Sequence, residues 1–191
     1  NYNFKGLDIN FIADLPNRAG LGSSSSFTVA LLGALEKFKG KKISKKKLAE
    51  EACNIEIKKL KDPIGKQDQY ISAFGGFCQI IFKKNNVLVK KIKIERSKIL
   101  NFEKSISLIN TGIFRSANKV LKKQSIKSKK NEHIYHEIKK LVPQFLLALK
   151  NNNLKKCGKI LKKNWDLKKK LDNNVYLKKF NFIENKLNKI G

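Results

Sequence analysis

The chain has 191 residues, with 43 Lys and Arg against 15 Asp and Glu and a formal net charge of +28. Its hydrophobic content of 41% is enough for a packed core and excludes the low-hydrophobicity disordered class. The longest apolar stretch, Phe27 to Leu35, is too short to cross a bilayer, and three widely spaced cysteines, Cys53, Cys78 and Cys157, do not make a disulfide scaffold.

Residues 7–12 (LDINFI) alternate like a strand. A Pro/Gly/Ser loop follows from Leu15 to Ser26, LPNRAGLGSSSS. Behind it Phe27, Leu31, Leu35 and Phe38 recur at helical spacing and predict a helix to about Phe38. Ser44 offers an N-cap for a second helix running to about Lys61, where Asp62-Pro63 ends it. Residues 64–74 read as a short helix stopped by Gly75-Gly76. Strands are expected at 77–82 and 87–94, joined by a turn at Lys83-Lys84-Asn85-Asn86, and again at 105–110. From about Arg115 the pattern turns helical, over 115–124, 131–150, 153–171 and 175–190. Early strands with interleaved helices, and helices alone later, predict an α+β protein with a domain boundary near residue 100. The apolar helix positions Tyr135, Phe145, Trp165 and Phe180 read as core.

The charge invites a basic nucleic-acid-binding module as one reading. Against it, arginine, the residue suited to bidentate phosphate and base contacts, occurs only at Arg18, Arg96 and Arg115, and lysine is spread along every segment. The cysteines read as reduced thiols of a cytoplasmic protein. The chain contains no methionine, so Asn1 reads as an internal position and the whole as a piece of a longer protein.

The loop places Gly20, Gly22 and four serines directly ahead of an amphipathic helix. Glycines let a backbone approach a ligand closely, and a helix N-terminus offers N–H groups and the positive end of a dipole, so this turn can hold phosphate. The Walker A spacing is absent, and a Ser-rich N-cap is the plainer alternative. Among the few acids, Glu56 falls on an apolar stripe with Ala49, Cys53 and Leu60, and Asp68 lines up with Ile64 and Ile71. Two carboxylates on buried faces beside a phosphate-type loop suggest a Mg²⁺ ligand and a general base; pairing with lysines is the alternative. His133 and His136 stand at i, i+3 without a convincing third ligand and read as exposed.

The segment LPNRAGLGSSSSFTVALLGAL resembles the P-x₃-G-L-G-S-S motif of the GHMP kinases, which phosphorylate small molecules such as galactose, homoserine and mevalonate. Glu56, the run Ile64-Gly65-Lys66-Gln67-Asp68-Gln69-Tyr70, Phe74-Gly75-Gly76-Phe77, and Asn110-Thr111-Gly112-Ile113-Phe114-Arg115 follow in the family's order. The set is most similar to the sugar-kinase branch typified by heptose 7-phosphate kinase, and it covers almost the whole chain. The family's first motif, upstream, and its third, expected just past Gly191, are missing.

The resemblance implies an N-terminal ATP-binding domain over 1–100 like domain 2 of ribosomal protein S5, incomplete at its start. A truncated ferredoxin-like C-terminal domain over 101–191 would follow. It implies that the backbone of Gly20, Leu21, Gly22, Ser23, Ser24 and Ser25 wraps the phosphates of ATP, that Ser24 and Glu56 hold Mg²⁺, and that Asp68 is the base. Thr111, Gly112 and Arg115 would lie near a small-molecule substrate, a sugar or sugar phosphate, most readily heptose 7-phosphate phosphorylated at C1. No nucleic acid or membrane partner is expected. The alternative readings are another GHMP small-molecule kinase, such as a galactokinase- or fucokinase-like enzyme, and the basic nucleic-acid-binding module.

Overall fold

The computed structural model describes residues 6–14, 20–109, 131–171 and 178–187. Three helices and a hairpin make its first half: α1 (Ser23–Phe38), α2 (Lys45–Cys53), α3 (Gln67–Phe74), β1 (Cys78–Phe82) and β2 (Val87–Lys91). Among the described residues four helices follow: α4 (Arg96–Lys104), α5 (Glu132–Lys150), α6 (Leu154–Leu171) and α7 (Lys178–Leu187). This mixed helical and antiparallel architecture agrees with the α+β expectation.

Ser44 caps α2 as expected, its hydroxyl accepting from the Lys47 N–H at 3.2 Å. The helix does not run on as an α-helix to Lys61. It widens at Asn54–Lys59 into a π-helical turn, the Leu60 N–H reaching the Ile55 carbonyl at 2.9 Å. The chain then breaks at Lys61, whose φ of 58° is left-handed. The wider turn shifts the helical phase, which is why Leu60, expected on the apolar stripe, is 65% exposed.

α1 ends at Phe38 as expected, but it buries Ser25, Val29 and Leu32 instead of the phenylalanine stripe. Phe38 is exposed, and Phe27 packs edge-on against Phe11 with ring centroids 4.7 Å apart. The buried partners are small, Ala49, Ala52, Cys53 and Ala73, with Tyr70 and Val87, so α1, α2 and α3 pack closely. Residues 7–12, expected as a strand, are irregular, and among the described residues no strand pairs with them.

β1 and β2 pair antiparallel with Phe82 opposite Val87, and the Lys83 N–H closes the turn on the Asn86 carbonyl at 2.8 Å. The second strand stops at Lys91, short of 94. Residues 105–109, expected as strand, are irregular after α4, a helix that the sequence pattern did not reveal. Phe102 on α4 meets Phe77 at 5.6 Å and Phe145 at 6.2 Å. It thereby joins Phe77 and Ile94 against a second core of Leu141, Ala148, Leu149, Cys157 and Ile160. α5 accommodates Pro143 in its interior, where one backbone N–H is lost. Tyr135 is 37% exposed and so not core, whereas Phe145 is half-buried. Trp165 is half-buried and donates its indole N–H to Glu184 at 3.3 Å. The expected helix at 115–124 and the Phe180 side chain lie outside the described residues. No described helix is long and apolar enough to cross a membrane.

Candidate functional site

The N-terminus of α1 is built by two left-handed glycines, Gly20 at φ 77° and Gly22 at φ 69°. Gly22 is the N-cap residue, and no side chain caps the helix. The simpler reading of the serines as caps is therefore not met. Ser24 and Ser26 face other helices instead: Ser24 donates to Glu56, and Ser26 shares a hydrogen bond of 3.0 Å with Ser72 on α3. Ser25 is buried, Ser23 half-buried and Leu21 exposed. With no acid in the first turn and no side-chain cap, the helix start keeps its positive end open to an anion.

Glu56 sits on the π turn, and there the expectation of a buried carboxylate holds: it is 1% exposed. Its Oε1 accepts from the Ser24 hydroxyl at 2.8 Å, and its Oε2 accepts from the Gln69 amide at 2.6 Å. Among the described residues no lysine or arginine forms an ion pair with it. Burial of an acid in this way requires donors or a cation, and neutral donors are what the fold provides.

Asp68 departs from expectation. Because α3 begins at Gln67, Ile64 is not on the helix, and the buried face is Gln69, Tyr70 and Ala73. Asp68 is exposed, and it lies against the loop: a Cβ placed on Gly22 would meet its Cγ and Oδ2 at 3.2 Å. The glycine at 22 is thus favoured by its left-handed backbone angle, and any side chain there would push the Asp68 carboxylate aside. Adjacent positions on α3 send Asp68 to the loop and Gln69 to Glu56. Sequence reasoning missed Gln69; its phase with Ala73, four residues on, was the signal that could have placed it inside.

The oxygen donors of Ser24 and Glu56 suit a hard cation. No cluster of three or more His, Cys, Asp or Glu that could hold a metal exists among the described residues. A Mg²⁺ ion needs only one or two protein oxygens and completes its shell with phosphate and water. The open helix start and the glycine cradle likewise fit phosphate.

Cys53, one turn before Glu56, is buried, and desolvation pushes its thiol up to about 11, with Lys66 pulling it down and Glu56 and Glu50 adding to the rise. It is an inert packing group. His133 and His136 are exposed, as expected. Thr111, Gly112 and Arg115 lie outside the described residues.

Residues 1–76 match the family described as GHMP kinases N terminal domain. A D-glycero-alpha-D-manno-heptose 7-phosphate kinase of Campylobacter jejuni is 30% identical over 166 residues, 85% of this chain and 49% of that protein. A homoserine kinase of Clostridium botulinum is 38% identical over 97 residues, 50% of this chain and 30% of that protein. The crystal structure of a D-glycero-D-manno-heptose 1-phosphate kinase from Bacteroides thetaiotaomicron superposes with a TM-score of 0.61 at 29% identity, covering 82% of this chain and 46% of that one. The chain therefore spans about half the length of the two heptose kinases. Over residues 1–76 the chain carries a GHMP kinases N terminal domain, and its likeness to the two heptose kinases continues well past them.

Proposed function

We propose that the chain is part of an ATP-dependent kinase that transfers the γ-phosphoryl group to a hydroxyl of a sugar or sugar phosphate, with C1 of heptose 7-phosphate as the leading acceptor. The observation that carries this reading is the meeting of three elements at one place: Asp68 against Gly22, and Glu56 bonded to Ser24. The acceptor is supported by the likeness to the heptose 7-phosphate kinase, which extends over 85% of the chain, against 50% for homoserine kinase.

In this reading the backbone of Gly20, Leu21, Gly22, Ser23, Ser24 and Ser25 wraps the nucleotide phosphates, using N–H groups at the open end of α1. Ser24 and Glu56 hold a Mg²⁺ ion, which supplies charge neutralisation at the phosphates. Asp68, exposed beside the loop, accepts the proton of the attacking hydroxyl as that oxygen bonds to phosphorus. Thr111, Gly112 and Arg115 contact the acceptor. Transfer of this kind depends on alignment and electrostatics, which rigid helix starts provide. We further assign residues 1–100 to an ATP-binding domain like domain 2 of ribosomal protein S5, and 101–191 to the first part of a ferredoxin-like domain, in a cytoplasmic enzyme.

The likeness of shorter stretches to homoserine and mevalonate kinases favours a second reading, a GHMP kinase with another small-molecule acceptor. Phosphate transfer from ATP by the protein of the complete reading frame, over heptose 7-phosphate, mannose, fucose, galactose, homoserine and mevalonate, separates the two. Transfer to heptose 7-phosphate alone supports the first with its leading acceptor, transfer to another sugar keeps the first with a different acceptor, and transfer to homoserine or mevalonate supports the second. Failure to bind ATP with Mg²⁺ overturns both.

A further inference from the structure

Gln69 is one of the two largest fully buried side chains, and Glu56 is the other. A glutamine in a core is costly unless both ends of its amide find partners. Here only one end does. The amide nitrogen donates to Glu56 Oε2 at 2.6 Å, while Oε1 is buried with no hydrogen-bond partner among the described residues. The NH₂ end of the amide faces the carboxylate as its donor. A residue chosen to fill space at this position would be apolar, as its neighbours Tyr70 and Ala73 largely are. What the glutamine supplies is a fixed donor to one oxygen of Glu56.

That bond has a geometric consequence. A carboxylate on a two-carbon stem can rotate, but Gln69 pins Oε2, so Oε1 is left facing the Ser24 hydroxyl at 2.8 Å. The pin is mounted on α3 one residue after Asp68, so one short helix sets the carboxylate beside Gly22 and the orientation of the carboxylate beside Ser24. We propose that Gln69 is a positioning residue for Glu56, holding its Oε1 toward Ser24 so that the two oxygens form a preset pair for the cation of the nucleotide complex. The proposal rests on the reading of Ser24 and Glu56 as the Mg²⁺ ligands.

The test uses the protein of the complete reading frame with a non-hydrolysable ATP analogue, and it reads Mn²⁺ binding by electron paramagnetic resonance. Gln69→Met keeps the volume and removes the donor. It is expected to weaken Mn²⁺ binding by about tenfold or more, as loss of a group that orients a metal ligand does, while the circular dichroism spectrum is retained. Gln69→Asn keeps an amide but withdraws it from Glu56 Oε2 by one methylene, and a similar weakening of Mn²⁺ binding is expected, with affinity for the metal-free nucleotide analogue kept.

Native Mn²⁺ affinity in Gln69→Met overturns the proposal. If Gln69→Met does not fold, Gln69→Asn decides, and native Mn²⁺ affinity there overturns it. Glu56→Gln is measured alongside. If it abolishes Mn²⁺ binding while the Gln69 variants bind normally, only the positioning role fails. If it too binds normally, the assignment of Glu56 as a ligand fails, and the proposal with it.

Discussion

Asp68 occupies the space that a side chain at residue 22 would need: Cγ and Oδ2 stand 3.2 Å, and Cβ 3.3 Å, from a Cβ built on Gly22. Gly20, two residues earlier, has a similar left-handed φ of 77°, and among the described residues nothing lies within 4 Å of a Cβ built on it. The two glycines therefore separate backbone strain from collision. An alanine at either position costs about 1–2 kcal/mol for the left-handed backbone. Only Gly22→Ala also displaces the Asp68 carboxylate, which is exposed and can swing away at small cost in stability. Thermal unfolding should therefore show similar losses for Gly20→Ala and Gly22→Ala, and turnover should fall much further for Gly22→Ala. Equal turnover in the two variants would remove Asp68 from the reaction.

Glu56 is a buried acid whose two oxygens are met by neutral donors, Ser24 and Gln69. Glu56→Gln removes the charge and keeps an acceptor, and its new amide can donate to the unpartnered Gln69 Oε1 if the Gln69 amide turns over. Stability is expected to stay level or rise. Glu56→Leu strands the buried Gln69 amide, at about 1–3 kcal/mol for a buried group left unpaired, while the exposed Ser24 hydroxyl can turn to water. Denaturant titration of the two variants checks the contrast. A Glu56→Gln protein less stable than Glu56→Leu would show that the charge itself supports the fold.

The loop and the burial of Glu56 were legible because both are local. Two glycines before a helical stripe dictate a left-handed turn, and an acid in phase with Ala49 and Cys53 is carried inward by helical geometry. What escaped depends on departures from that geometry or on distant partners. The π turn at Asn54–Lys59 changes the phase of every residue after it, which moved Leu60 outward without any mark in the sequence. Asp68 was placed inside because Ile64 was counted as helical, whereas α3 starts at Gln67. Residues 7–12 alternate like a strand, but a strand exists only beside another. α4 went unseen because few of its residues are apolar, and Phe102 earns its place through Phe77 and Phe145, far away in the chain.

Exposure makes Asp68 a clean target. It forms no ion pair among the described residues, and its side chain contributes little to the core, so Asp68→Asn should unfold within a degree or two of the native protein. If it accepts the hydroxyl proton, turnover should fall by about 10²–10⁴-fold while affinity for ATP with Mg²⁺ is kept. Isothermal titration with the nucleotide and a steady-state assay together decide this. A variant with native turnover would show that the acceptor hydroxyl needs no base from α3.

The thiols give a pH dependence with a definite sign. Burial raises Cys53 to about 11 and raises Cys157 in the same sense, while Cys78 is only half-buried. At pH 8 a thiol reagent should therefore modify Cys78 first and leave the other two until the chain opens, since the thiolate is the reacting form. For stability, the unfolded chain releases the Cys53 proton near its ordinary value of 9.0, whereas the folded chain keeps it to about 11. The unfolded state binds fewer protons across that interval, so stability is full below pH 9 and falls as pH rises toward 11. The difference is on the order of 2 kcal/mol at the upper end. Cys53→Ala should lose that part of the alkaline slope, although the lysines of the chain will leave a remainder. Parallel urea midpoints for the two proteins at pH 8 and pH 11 measure it. A gap between them that does not narrow with pH would mean that Cys53 ionises as readily in the fold as outside it.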